Sequence, residues 1–442
     1  ECIEQLSQLQ LLQLFDNFLE GTLPPQLGNL TSLWALALSG NIYIYGSIPD
    51  SLALLTELRM IGLSNNQITG TIPDYFGNYT YLQYIDLDFN HIHGTIPESI
   101  GKLQELGDLI IYSNHLTGTI PQSLVKLSNL YDLSLEDNEL TGTIPSGLGL
   151  LTHLQYITLH SNQLSGTMPN TWSNLTQLLQ IFLEKNYLTG TIPPIFQNLT
   201  RLEGFAVNLN SLTGTIPTYL LDRPELLVVE LSSNHLEGTF PKPIAANWSH
   251  IAALSCASNY LTGPFPEGLD NSNTLQYLNL SDNSLTSTIP LELGGIIRLN
   301  FLYLGMNLFS GTLPDVFENF PELSYLFLDG NLLTGTIPAS LGYSPYLQSV
   351  NLSSNHLTGT IPTSLSQLSA LSVLLLQDNA LSGNIYGVFD PTLQRHITTV
   401  QLSDNQLTGT LPDAIGELAG LKVFAAVSNC FTGSLPESLC DS

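Results

Sequence analysis

Hydrophobic positions keep one cadence from end to end of this chain. In LQYITLHSN, Leu154, Ile157 and Leu159 are apolar, while Tyr156, Thr158 and His160 alternate with them. Alternation of period two over so short a run predicts a short strand with one buried face. Asn162 closes the run, and its side-chain amide is suited to satisfying backbone groups left unpaired at a turn. Gly166 then allows a close or unusual backbone conformation, and Pro169 ends any helix-like continuation. Further leucines come inward on a short helical or extended return.

Aligned on that asparagine, the pattern recurs at Asn17, Asn41, Asn66, Asn90, Asn114, Asn138, Asn162, Asn186, Asn210, Asn234, Asn259, Asn283, Asn307, Asn331, Asn355, Asn379, Asn405 and Asn429, eighteen copies in all. Most steps are 24 residues; 41→66 and 234→259 are 25, and 379→405 is 26. The consensus reads LxxLxLxxNxLxGTIPxxLGxLxx. A fixed period of this size and wording marks a leucine-rich-repeat solenoid, in which no coil buries its leucines alone and stacked coils share one core. The expected organisation is a solenoid over residues 1–429 and a C-terminal cap over 430–442.

Composition narrows the partners. The 442 residues are 43% hydrophobic, too apolar for disorder, and carry 10 Lys plus Arg against 37 Asp plus Glu, a formal charge of −27. A field of that sign repels nucleic acid and anionic membrane surfaces and favours basic partners or cations. No apolar run reaches the roughly 18 residues of a membrane helix, and no leader opens the sequence, so no direct membrane insertion is expected. Cysteines stand at positions 2, 256, 430 and 440 without a CxxC pair. The spacing of Cys430 and Cys440 suits a terminal disulfide, Cys256 replaces a repeat leucine and reads as a buried free thiol, and Cys2 has no evident partner.

The LTGTIP copies at Leu116–Pro121, Leu140–Pro145, Leu188–Pro193 and Leu357–Pro362 resemble the plant-type leucine-rich repeat. That family includes receptor-kinase ectodomains, receptor-like proteins and secreted polygalacturonase inhibitors; repeats of algal and other protist surface proteins are similar. The resemblance covers essentially the whole chain. It implies an α/β solenoid, a right-handed superhelix with a parallel concave sheet, short lateral strands at GTIP and short helical or irregular convex segments, and an extracellular setting. Two departures stand out: the strong acidity, and the lack of the family's N-terminal paired-cysteine cap. Because an uncapped first coil exposes leucines, further chain is expected upstream, in a larger chain or assembly.

Outward strand positions on the concave face are the expected binding surface. The coils ending at Asn90 through Asn186 place Tyr84, Asp86, Asp88, Phe89, Asp108, Tyr112, Asp132, Glu136, Asp137, Tyr156, His160, Phe182 and Glu184 there. Aromatics beside carboxylates suit a protein, peptide or glycan interface, with flat apolar anchors and charged selectivity. A second, more apolar cluster comprises Tyr277, Phe301, Tyr303, Met306, Tyr325, Phe327 and Asp329. The carboxylates form no DxDxDG-like calcium loop, and His91, His93 and His115 lack a fourth ligand, so neither a metal nor a cofactor is expected.

Thr follows the repeat glycine, or the Ser287 that replaces it, in fourteen coils, as at Thr71, Thr95, Thr119, Thr143, Thr167, Thr191 and Thr215, and often precedes it, as at Thr69, Thr117, Thr141, Thr189, Thr213, Thr334 and Thr358. Such ranked threonines resemble the surfaces of some ice-binding solenoids; β-propensity and repeat duplication also produce them. N-glycosylation sequons occur at Asn29, Asn78, Asn174, Asn198, Asn247, Asn279 and Asn351. Asn29, Asn78, Asn174 and Asn198 share a convex register, whereas Asn279 and Asn351 point to the concave face. No HExxH, GxSxG, P-loop or Cys/His constellation is present, so catalysis is not expected. The expectation is a non-enzymatic extracellular recognition or adhesion module, with a structural surface component as the alternative and ice binding third.

Overall fold

The computed structural model describes residues 5–242, 250–269 and 272–440, the side chain of Cys440 excepted. The chain divides into two units, Glu1–Leu226 and Leu227–Ser442. In the first, nine main strands follow in sequence order: Leu11–Gln13, Ala35–Ala37, Met60–Gly62, Tyr84–Asp86, Asp108–Ile110, Asp132–Ser134, Tyr156–Thr158, Gln180–Phe182 and Gly204–Ala206. Each pairs in parallel with the next, so that Asp108, Asp132, Tyr156 and Gln180 form one row. The second unit also has nine: Val228–Glu230, Ala253–Ser255, Tyr277–Asn279, Phe301–Tyr303, Tyr325–Phe327, Ser349–Asn351, Val373–Leu375, Thr399–Gln401 and Val423–Ala425. The expected parallel main sheet is thus present, with one strand per repeat.

Burial follows the sequence cadence. Leu154, Ile157 and Leu159 are fully buried, as are their counterparts Leu323, Leu326 and Leu375's neighbours Leu374 and Leu376 in the second unit. Each fully buried leucine contributes roughly 1.5–3 kcal/mol by leaving water, a gain available only where the next coil covers it.

The repeat asparagines form the expected ladder. Asn90 Nδ2 donates to the carbonyls of Leu63, Leu87 and Asp88, and its Oδ1 accepts the Ile68 N–H at 2.8 Å. One side chain therefore satisfies four backbone groups across two coils. The residue before each asparagine takes a left-handed conformation in all eighteen repeats, from Asp16 (φ 53°) to Ser428 (φ 54°).

Two segments complete each regular coil. Short lateral strands such as Thr141–Thr143 and Gln163–Gly166 run parallel beside the main sheet. Their glycines are required twice over: Gly118 has φ +77°, and a Cβ there would sit 2.8 Å from Thr95 Cγ2 of the preceding coil. The threonine column thus has a packing role, its methyls lying over the next coil's glycine, while hydroxyls such as Thr141 Oγ1 donate to Gly118 O (3.1 Å). The return is a 3-10 helix, as at Asp74–Asn78 and Asn170–Asn174. Here the structure corrects the expectation for proline. Pro169 stands immediately before Asn170–Asn174 with φ −70°, so it starts the helical turn and does not end one; its fixed φ fits a helix start, where its missing N–H costs nothing.

Candidate ligand-binding faces

The first unit gathers its candidate residues on the outward side of the main sheet. Parallel register sets Tyr84 beside Asp108, Asp132 beside Tyr156, and Asp86 in a row with Ile110, Ser134, Thr158 and Phe182. Adjacent strands lie roughly 4.8 Å apart, so these side chains form one half-buried surface. Phe89 and Asp137 sit at the left-handed turn positions at its margin. The Phe89 ring meets Tyr112 edge-on at 5.2 Å, and Tyr156 meets Tyr131 at 5.5 Å. Tyr131 was not among the sequence candidates: it lies one residue before its strand, outside the alternating positions.

Hydroxyls hold three of the carboxylates. Ser64 Oγ donates to Asp86 Oδ2 (2.8 Å), Ser134 Oγ to Asp132 Oδ1 (2.6 Å) and Thr158 Oγ1 to Glu136 Oε2 (2.6 Å). His160 Nδ1 lies 3.8 Å from Glu184 Oε1. Among the described residues no Lys or Arg forms an ion pair with any of these acids. Asp86 Oδ1 and Glu184 Oε2 are buried without a hydrogen-bond partner. Burial, then the neighbouring Asp88 charge, pushes the Asp86 carboxyl up to about 6. Burial likewise raises Asp88, Asp108, Asp132, Glu136 and Glu184. Burial and four nearby aspartates push the Tyr84 phenol up to about 12.

The second unit brings its candidates together differently. Tyr277, Phe301 and Tyr325 form one row, and Asn279, Tyr303, Phe327 and Asn351 the row beside it. Phe301 and Tyr325 stack at 5.1 Å with planes 11° apart, Tyr303 and Phe327 meet edge-on at 5.1 Å, and Tyr277 lies 5.7 Å from Phe301. The rings are half-buried; Met306 flanks them at a left-handed turn position, and Asp329 just past the strand Tyr325–Phe327. Burial pushes the Tyr303 phenol up to about 12.

Other candidates are dispersed. Asn29, Asn78, Asn174 and Asn198 are exposed at the ends of 3-10 helices, Asn279 and Asn351 end main strands, and Asn247 lies outside the described residues. Cys256 is buried and free, with its thiol raised by burial. Cys430 is exposed with no disulfide partner among the described residues, which exclude Cys2 and the side chain of Cys440. His91 and His115 stack at 5.9 Å, and no group of three or more His, Cys, Asp or Glu among the described residues is placed to hold a metal ion. No helix among them is long and apolar enough to cross a membrane.

Residues 80–140 match the family "Leucine rich repeat", and residues 57–79, 153–175, 274–296, 322–344, 346–368 and 396–418 match single "Leucine Rich Repeat" units. No curated protein sequence matches the chain. Among solved structures it is similar to the plant peptide hormone receptor RGFR1 in complex with RGF2 (31% identity, 99% of this chain and 77% of that one, TM-score 0.83). It is also similar to the Arabidopsis receptor kinase HAESA in complex with the peptide hormone IDA and the co-receptor SERK1 (30% identity, 98% and 72%, TM-score 0.91). A Leptospira interrogans leucine-rich-repeat protein shares 28% identity over 86% of this chain and 92% of that one, with TM-score 0.66. With its eighteen repeats, its asparagine ladder and relatives matched along nearly its whole length, this chain belongs to the leucine-rich-repeat family.

Proposed function

We propose that the protein is an extracellular, non-enzymatic recognition module, and that the acidic and aromatic face of its first unit binds a basic segment of a peptide or protein. One observation carries this reading: six half-buried carboxylates share a sheet face, no Lys or Arg among the described residues pairs with them, only His160 stands beside Glu184, and two of their oxygens are buried without a partner. Such a face stores desolvation and repulsion that a ligand's Lys or Arg relieves, while the tyrosines supply apolar anchors. Two structural neighbours are plant receptors holding peptide hormones, which supports a peptide or protein as partner and an extracellular setting.

The test is calorimetric binding of a Lys- and Tyr-containing decapeptide and of its Glu-for-Lys counterpart. The basic peptide binds, more weakly as salt rises, and the acidic one does not. Replacing Asp108 and Asp132 by Asn and Glu136 by Gln lowers affinity about tenfold or more, and Tyr112→Ala with Tyr156→Ala by a similar factor, on the order of 1–3 kcal/mol. Asp413→Asn with Glu437→Gln, at exposed acids elsewhere, leaves affinity unchanged. Acidification from pH 7.5 to 5 weakens binding, because Asp86, at about 6, is protonated and loses its attraction for the ligand's cation. Equal loss from both acid sets reduces the binding to bulk charge and removes the assignment to this face.

A further inference from the structure

The aromatic face of the second unit ends at an Asn-Leu-Ser sequon on either side: along one row the order is Asn279, Tyr303, Phe327, Asn351. The two asparagines are clamped alike but left with different freedom. Asn351 Oδ1 accepts the Ser353 N–H (3.2 Å) and the Ser353 hydroxyl (2.6 Å), and its Nδ2 has no partner among the described residues. Asn279 Oδ1 is bound in the same way by Ser281, but its Nδ2 donates to the Tyr277 hydroxyl at 3.3 Å. Glycosylation uses only the side-chain nitrogen, so the Ser353 clamp survives at Asn351 and holds that nitrogen at the platform's edge. No Asp, Glu, Lys, Arg or His stands at the outward strand positions from Tyr277 to Asn351, and the acid Asp329 lies just beyond the strand Tyr325–Phe327. From Asn351 the Phe327 and Tyr303 rings stand one and two strand spacings away, roughly 5 and 10 Å, within the reach of two linked sugars, and the apolar C–H faces of sugars pack on aromatic rings.

We infer that Asn351 carries an N-linked glycan whose first two sugars lie over Phe327 and Tyr303, so that the chain's own sugar covers this face. The modification occurs on the nascent chain. Asn351 Nδ2 attacks C1 of a lipid-pyrophosphate-linked oligosaccharide; the N–C1 bond forms, the bond from C1 to the phosphate oxygen breaks, the lipid pyrophosphate leaves, and the amide proton passes to a base of the transferase. The inference is independent of the proposed ligand of the first unit, because none of its residues lies there.

The protein is secreted from a eukaryotic host and its glycopeptides are examined by mass spectrometry, with the exposed Asn29 and Asn174 as internal references. Asn351 is occupied. On the folded protein, an endoglycosidase that cuts between the first two sugars acts there about tenfold more slowly than at the references, the protection expected of a ring-stacking contact. Phe327→Leu with Tyr303→Leu removes the difference. Sugar protons of the wild-type protein shift upfield in NMR spectra, a ring-current signature that needs no variant. An unoccupied Asn351 beside occupied references overturns the inference. So does an occupied one that is cut as fast as they are, protection that survives both ring substitutions, or sugar resonances at ordinary shifts.

Discussion

Strand Asp132–Ser134 in the first unit and strand Phe301–Tyr303 in the second offer solvent the same two outward positions, in the same parallel register with their neighbours. Inward, both carry leucine, Leu133 and Leu302, fully buried. Outward, one presents an aspartate tied to a serine, the other two rings packed on the next strand's rings. The fold constrains the inward residue and leaves the outward ones free, so the faces diverge in chemistry without any change of backbone. They also diverge in energy. The rings of the second unit stabilise one another, whereas the carboxylates of the first are desolvated and mutually repelling, the kind of arrangement the binding role proposed above would use.

Stability therefore responds to truncation with opposite sign on the two faces. The largest effect is expected in the second unit, where Tyr303→Ala or Phe327→Ala removes a half-buried ring together with its edge-on partner contact. Each lowers unfolding free energy by about 1–3 kcal/mol, as read by urea titration. Asp132→Asn in the first unit, which keeps an acceptor for Ser134, does not lower it. Equal losses on both faces would erase the contrast.

Asp86 supplies the next step down and ties it to pH. Its folded carboxyl, at about 6, lies above the ordinary 3.8, so the native state binds the proton more tightly than the unfolded chain does. Stability from this group is fully present below the unfolded value and is lost as pH rises through about 6. Asp86→Asn removes the charge and keeps an acceptor for Ser64. It raises stability at pH 7 by an amount on the order of 1 kcal/mol once solvent contact is allowed for, and by nothing well below the unfolded value, at about pH 3. Thermal melts at the two pH values measure both. A gain at the lower pH would mean that shape and not charge is being relieved.

Much of this was legible in the sequence, for reasons that differ by position. Leu154, Ile157 and Leu159 announced their burial because a strand's two faces alternate and every coil must hide one of them. Asn162 announced its ladder because a turn leaves backbone groups that only a buried amide satisfies. Pro169 was misread: interrupting a helix and initiating one use the same fixed φ, and the sequence does not say on which side the helix lies. The rows of the two faces follow from the repeat alignment, but the burial of Asp86 Oδ1 and the lack of an ion pair to it among the described residues do not, since both depend on where side chains of adjacent coils turn. The left-handed position before each asparagine had a signal that went unused: fourteen of the eighteen residues there are Ser, Asp, Asn or Gly, the types that tolerate that conformation.

The four exceptions, Phe89, Lys185, Leu209 and Met306, give the smallest and most discriminating prediction. A bulky side chain in the left-handed region costs roughly 1 kcal/mol more than asparagine, and Phe89, Leu209 and Met306 are about half or more exposed, so burial returns little of it. Leu209→Asn and Met306→Asn should each stabilise the protein by about 0.5–1 kcal/mol. Phe89→Asn should stabilise it less, because the edge-on contact with Tyr112 is lost along with the strain. Binding separates the positions further: the Phe89 substitution loosens the basic decapeptide through Tyr112, whereas the Met306 substitution, on the aromatic face, leaves its affinity unchanged. If Phe89→Asn stabilises as much as the other two and binds the peptide as wild type does, the ring contributes neither to Tyr112 nor to the ligand, and the margin of the acidic face ends at Asp88.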